Sequence, residues 1–288
     1  MSDPHPPATA TLLLSCRDRK GLVAAMAQLL YDHGANILDA QQHTDPAEQM
    51  FFQRIHFDLS ELDIPRDQLE ALLGIECGRY PMRWRISYSD RRKRVAIFVS
   101  RFEHCLYDLL LRHRLGELVC EIPLIVSNHP DLESVAGKFD VPFRFFPVTS
   151  DAKAEQEAQE IALLEEQRID LLVLARYMQI LSQGFTERFP ERIINIHHST
   201  LPAFVGARPY HQAFERGVKL VGATAHYATS DLDQGPIIDQ DVVRCSHADT
   251  VQDLVRRGRD VERMVLARAV RWHLEDRILV HGRRTVVF

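Results

Sequence analysis

From Val95 onward, short unbroken apolar runs alternate with stretches at helical spacing, and this alternation limits the possible folds more than any other feature. Val95–Val99 is apolar at every position. A strand with two apolar faces needs cover on both, and in α/β proteins helices supply it. Leu106, Leu109 and Leu110 follow at helical spacing, and then come a strand at Ile122–Val126, a helix at Leu132–Phe139 and a short strand at Phe143–Phe146. A long helix at Ala152–Gln167 leads to a strand at Asp170–Leu174 and a loop containing Arg176–Leu181. Val221–Ala228 and Ile237–Val243 read as further strands. Asp249-Thr250-Val251-Gln252 has the look of a capping box opening a closing helix that runs to His273. Ile278–Val280 and Thr285–Phe288 around Gly282 read as a final hairpin. The pattern predicts a doubly wound, mainly parallel sheet over 95–288.

The residues before it follow a different rhythm. A strand at 10–16 precedes a helix with Leu22, Met26, Leu29 and Leu30 on one face, which Asp18 is expected to cap and Gly34 to close. Ala35–Gln42 and the alternating Phe51, Ile55, Phe57 and Leu59 give two more strands. Pro65 opens a second helix, and Met82, Trp84, Ile86 and Tyr88 alternate along a fourth strand. The order βαββαβ over 8–89 predicts a ferredoxin-like domain. The basic run within 90–94 lies between two apolar strands and reads as a linker.

Composition excludes several classes of function. A net charge of -5 with scattered basic residues gives no case for nucleic acid. No apolar run reaches the roughly 20 residues a membrane helix needs. The opening residues lack the charged start and apolar run of a signal peptide. The cysteines, Cys16, Cys77, Cys105, Cys120 and Cys245, are widely spaced and form no CxxC pair. Reduced thiols in a cytoplasmic protein are therefore expected.

Chemistry is expected at Ile193–Phe204. Strand alternation sets Asn195, His197 and Ser199 on one face and Ile194, Ile196 and His198 on the other. Pro202, which has no N–H to donate, ends the ladder. Polar groups thus gather at the carboxyl end of an apolar strand, where open α/β sheets bind ligands.

Asn195-Ile196-His197-His198-Ser199-Thr200-Leu201-Pro202-Ala203-Phe204, with Gly222–Tyr227 and Asp231–Ile238, resembles the formyltransferase fold that handles 10-formyltetrahydrofolate. Within it, the formyltetrahydrofolate deformylases share the order of an amino-terminal ACT domain and a formyltransferase-like body. Thr200 departs from the pattern, standing beside the site where a bulky apolar residue is expected. The resemblance implies hydrolysis of 10-formyltetrahydrofolate to tetrahydrofolate and formate, which supplies formate for purine biosynthesis, with no cofactor. Such a reaction needs a donor for the oxyanion, a proton carrier for the departing nitrogen, and a group that orients the carrier or activates water. The family's catalytic Asn, His and Asp fall on Asn195, His197 and Asp233; either His197 or Asp233 can take the first proton. Met178, Ile180 and Leu181 match the loop lining the pterin pocket, and His226 a supporting histidine.

His197 and His198 are adjacent but expected on opposite faces, so a metal site using His211 or His226 as helper is not expected. Two other functions compete. A transferase of the glycinamide ribonucleotide type needs a phosphate cradle after the first strand of the body, yet Ser100-Arg101-Phe102-Glu103-His104-Cys105 has no glycine. An amino-acid sensor without catalysis has no need of Asn195, His197 and Asp233 together.

Asp18-Arg19-Lys20-Gly21-Leu22 with Gly34-Ala35-Asn36-Ile37 resembles an ACT domain. That implies a homo-oligomer paired through these domains, with Asp18, Gly21 and Asn36 near a small amino acid. Glycine and methionine are the effectors the resemblance suggests.

Overall fold

The computed structural model describes residues 8–148, 153–202 and 209–288. Ala203 and Phe204, Ala152 at the expected start of the long helix, and residues 1–7 lie outside them. The chain divides into two compact units. The first runs as far as Arg92 and takes in Asp276–His281 and Val286–Phe288; the second is Lys93–Glu275 with Gly282–Thr285.

In the first unit, β1 (Thr9–Arg17), α1 (Leu22–Asp32), β2 (Asn36–Asp45), β3 (Met50–Asp58), α2 (Arg66–Arg79) and β4 (Arg83–Tyr88) follow the βαββαβ order. They build a four-stranded antiparallel sheet, β2-β3-β1-β4. Alternation on β1 sends Leu12, Leu14 and Cys16 into one core with Met26, Leu30, Leu69 and Leu73. Leu13, on the other face, packs with Phe52 and Leu279. The tail therefore differs from the expected partition, which gave all of 95–288 to the second domain. Its Leu279 covers the sheet face the helices leave open, and Asp276 O and Ile278 O accept from Arg54 Nε and Arg85 Nη2 at 3.1 and 3.0 Å.

Asp18 does not cap α1. The N-cap is Gly21, in the left-handed region at φ 93°, and no side chain caps this end. The Asp18 N–H donates instead to Gln49 O at 2.8 Å. Gly34 closes the helix at φ 74°, and a Cβ there would lie 2.2 Å from Glu61 O, so only glycine fits.

The second unit comprises β5 (Arg94–Val99), α3 (His104–Arg114), β6 (Glu121–Ser127), α4 (Glu133–Lys138), β7 (Phe143–Phe145), α5 (Lys153–Glu166) and β8 (Leu171–Leu174). After these come α6 (Gln183–Arg188), β9 (Ile193–His197), α7 (Pro209–Arg216), β10 (Leu220–Tyr227), β11 (Ile237–Arg244) and α8 (Val251–Leu274). The tail strands are β12 (Ile278–His281) and β13 (Arg284–Val287). The seven-stranded sheet runs β11-β10-β9-β8-β5-β6-β7. β5 to β9 are parallel, and β10 is antiparallel to both its neighbours. The capping box of α8 joins Thr250 to Asp253. Helices α6 and α7 were not expected, being too short to show a helical period.

This order fixes the ligand crevice. The chain enters at β5 in mid-sheet, moves out through β6 to β7, and returns on the other side of β5 as β8. Ligands bind at such a reversal, outside the carboxyl ends of the strands, here at Val99 and Leu174.

Glu160 of α5 is 1 % exposed, and burial pushes its carboxyl up to about 7. An unfolded chain releases this proton near pH 4.3, roughly the free Glu value. Between the two values the native state binds more protons, so this group's contribution to stability is whole below that range and lost as pH rises through the folded pKa. Glu160→Gln cannot ionise. Its stability advantage over the parent, read by urea unfolding, should grow from pH 5 to pH 8, to on the order of 2–4 kcal/mol. An equal margin at both pH values would contradict the assignment.

Candidate active site

β9 is buried at Ile193, Ile194 and Ile196, and its period-two alternation puts Asn195 and His197 on the shared face. β10 pairs with it so that His226 stands opposite Asn195 and Thr224 opposite His197. Asn195 Nδ2 lies 3.2 Å from His226 Nε2. His226 Nδ1 is 3.0 Å from Tyr227 O, which only accepts, so Nδ1 carries the proton. With its proton on Nδ1, His226 Nε2 accepts from Asn195, leaving the amide one unspent N–H.

The third residue arrives on the loop between β10 and β11. Gly235 lets this loop fold back: a Cβ there would lie 1.7 Å from Tyr227 O. Asp233, left-handed at φ 56°, presents its carboxylate to both histidines. His197 Nδ1 donates to Asp233 Oδ2 at 3.3 Å, and Oδ1 is 3.6 Å from His226 Nε2. The hydrogen bond from His197 holds this carboxyl well below the usual carboxylate range. Among the described residues, His197 Nε2 is buried and has no hydrogen-bond partner.

A cavity of about 430 Å³ opens beside these groups, lined by Asn195, His197, His226 and Asp233 and by the loop Arg176–Leu181. Met178 and Ile180 are 52 % and 59 % exposed, so they are pocket wall and not core. Leu174, Thr186, Ile196, His198, Ala228, Thr229, Ser230 and Leu232 complete the wall. Loop and strand are joined through Ser100, whose Oγ donates to Asn128 Oδ1 at 2.6 Å and accepts from Met178 N at 2.9 Å.

His198 departs from expectation. β9 ends at His197, so alternation does not carry on, and the His198 ring lies 5.1 Å from that of His197 and lines the same cavity. Burial, with Arg176 and His197 adding to it, pushes its pKa down to about 4, so it is neutral at pH 7. Its other neighbour, Tyr210, donates to Glu262 at 2.7 Å. Glu262 is 1 % exposed and also meets His104 Nε2 at 2.7 Å and Arg176 Nε at 3.5 Å. Burial alone would raise this carboxyl; the His104 hydrogen bond and the Arg176 charge outweigh it and hold it low. Arg176 in turn stacks on Phe102 at 4.9 Å. This group spans four separate segments, and no short motif announces it. His211 lies exposed on α7.

In the first unit, Asp18, Gly21 and Asn36 are all exposed but do not meet. Asp18 follows Arg17, which pairs with Met50, whereas Asn36 pairs with Asp58 at the other end of the sheet.

Fold and site together define a formyl-group-handling body joined to an ACT domain. Residues 93–270 match the formyl transferase family model and residues 10–74 the ACT domain. The formyltetrahydrofolate deformylase of Synechocystis is 55% identical over 280 residues, covering 97% of this chain and 98% of that protein. The crystal structure of a formyltetrahydrofolate deformylase from Pseudomonas syringae superposes with a TM-score of 0.96 at 46% identity, covering 99% of this chain and 95% of that one. Glycinamide ribonucleotide transformylase 1 from Symbiobacterium toebii is more distant: TM-score 0.65, 32% identity, 70% of this chain and 96% of that one. The chain belongs to the formyltetrahydrofolate deformylase family.

Proposed function

We propose that this chain hydrolyses 10-formyltetrahydrofolate to tetrahydrofolate and formate, with Asn195, His197 and Asp233 as its catalytic residues. The observation that carries the mechanism is the buried Nε2 of His197, which has no hydrogen-bond partner among the described residues while Nδ1 is held by Asp233. A carboxyl held so low is a weak base, so Asp233 orients the imidazole and balances its charge, and Nε2 moves the proton. Water attacks the formyl carbon as His197 takes its proton. The carbonyl oxygen becomes an oxyanion facing the unspent Asn195 N–H. The C–N bond then breaks as His197 returns the proton to the departing nitrogen. These groups suffice without metal or cofactor. Met178, Ile180 and Leu181 suit a flat pterin ring, and His226 sets the Asn195 amide.

Water is the favoured acceptor because the loop after β5 offers Phe102, with Arg176 and Arg259 against its ring, in place of a glycine-rich phosphate cradle. The released formate suits purine biosynthesis in a cytoplasmic setting. Asn195→Ala should lower turnover about 10²–10³-fold, the cost of losing an oxyanion donor. Wild-type turnover in this variant would remove Asn195 from the mechanism.

The ACT domain supports amino-acid control by glycine or methionine in a homo-oligomer. Asp18 and Gly21 stand at one end of the sheet and Asn36 at the other, so one small ligand touching both sets needs two copies of the domain. Such coupling shifts affinity about 5–150-fold. Glycine or methionine should change turnover of the full chain, and Asn36→Ala should abolish the response at unchanged basal rate. A full chain indifferent to both amino acids would leave this domain with assembly alone.

A further inference from the structure

The exposed part of the loop that lines the cavity has little packing of its own. Met178 and Ile180 are about half-exposed, whereas Tyr177 is buried against Phe98. The loop's tethers come from elsewhere, and three of them lie on one helix. Lys153, Glu157 and Glu160 of α5 are spaced i, i+4 and i+7, which places them on one face. Lys153 Nζ donates to Ile180 O at 2.5 Å. Glu157 Oε1 accepts from Ser182 N at 2.9 Å, just where α6 begins. Glu160 Oε1 lies 3.5 Å from Tyr177 Oη and accepts from Gln156 Nε2 at 2.8 Å.

Burying acids in this way is costly unless they are well used, and Glu157 and Glu160 are 7 % and 1 % exposed. A helix needing only an apolar face against the sheet would carry leucines there. The side chains are instead matched to the loop at successive turns, reaching two backbone groups and one buried hydroxyl.

We propose that the Lys153–Glu157–Glu160 face of α5 is a clamp that pre-forms the pterin-side wall of the pocket, with Glu157 as its principal positioning residue. A wall held before the substrate arrives spares the cost of ordering it on binding, so the clamp acts on affinity. The reacting groups sit on β9 and the Asp233 loop and are untouched. The affinity consequence rests on the folate reading above; the clamp itself does not.

Two readings on the full chain separate them. Hydrogen exchange of the 177–182 segment reports the clamp directly, whatever the substrate. In Glu157→Ala, exchange there should quicken about tenfold, the upper size of one ordinary hydrogen bond. Glu157→Gln keeps an amide oxygen to accept from Ser182 N and should exchange as the parent does. Lys153→Ala, at a partly exposed site, should give a smaller rise. For 10-formyltetrahydrofolate, KM of Glu157→Ala should rise about tenfold with kcat within about twofold, and Glu157→Gln should restore it. Unchanged exchange in Glu157→Ala would overturn the clamp. Quickened exchange with KM unaltered, or with kcat lost instead, would overturn its role in binding.

Discussion

His197→Ala is expected to lower turnover of 10-formyltetrahydrofolate by about 10²–10⁴, the range for removing a positioned general acid–base group. The expected loss is large because the proposed mechanism puts both proton transfers on one atom, Nε2, and among the described residues no neighbouring group replaces it. His226 has Nδ1 committed to Tyr227 O and Nε2 to Asn195. His198, its pKa pushed down to about 4, is a far weaker base at pH 7. Substrate affinity should change little, since the wall proposed to meet the pterin is the Arg176–Leu181 loop. His198→Ala, made alongside, should cost less turnover than His197→Ala. The reverse ranking, measured as kcat on folded protein, would exchange the roles of the two histidines.

Asp233→Asn is expected to be as damaging, at about 10⁴ in kcat, the loss known when a buried Asp orienting a catalytic His becomes Asn. The amide keeps the shape but not the charge. It can offer an N–H to His197 Nδ1, which moves the ring proton to Nε2 and removes the base. Even in the right orientation it cannot balance the imidazolium that forms during the reaction. Asp233 is held by the His197 N–H, so the same change also loosens the loop that Gly235 folds against β10. A variant within tenfold of the parent kcat would show that Asp233 is structural.

Much of this site was legible because a strand has a period of two. Asn195 and His197 share a face for that reason alone, and the apolar runs around them specify a sheet covered on both sides. The βαββαβ order before it was equally plain in the spacing of Leu22, Met26 and Leu30 and in the alternating third strand. What escaped depends on partners distant in the chain. The register of β10 on β9, which sets His226 against Asn195, is a tertiary fact. So is the group around Glu262, drawn from α3, α7, α8 and the loop after β8. His198 lies one residue past the strand's end, where alternation no longer sets its face. Asp18 has the residue type of a cap, but a left-handed Gly21 turns the chain into α1 and leaves no such role. The tail's place with the first unit follows from an uncovered face at Leu13 and Phe52, visible only once the sheet is built.

Single-turnover reaction of the full chain with 10-formyltetrahydrofolate in ¹⁸O-labelled water, with no amine present, tests the account at its centre. If water is the nucleophile that His197 activates, mass spectrometry finds a single heavy oxygen in each formate, matched by an equal amount of tetrahydrofolate. Formate without the label, or no formate until an amine acceptor is added, would contradict it.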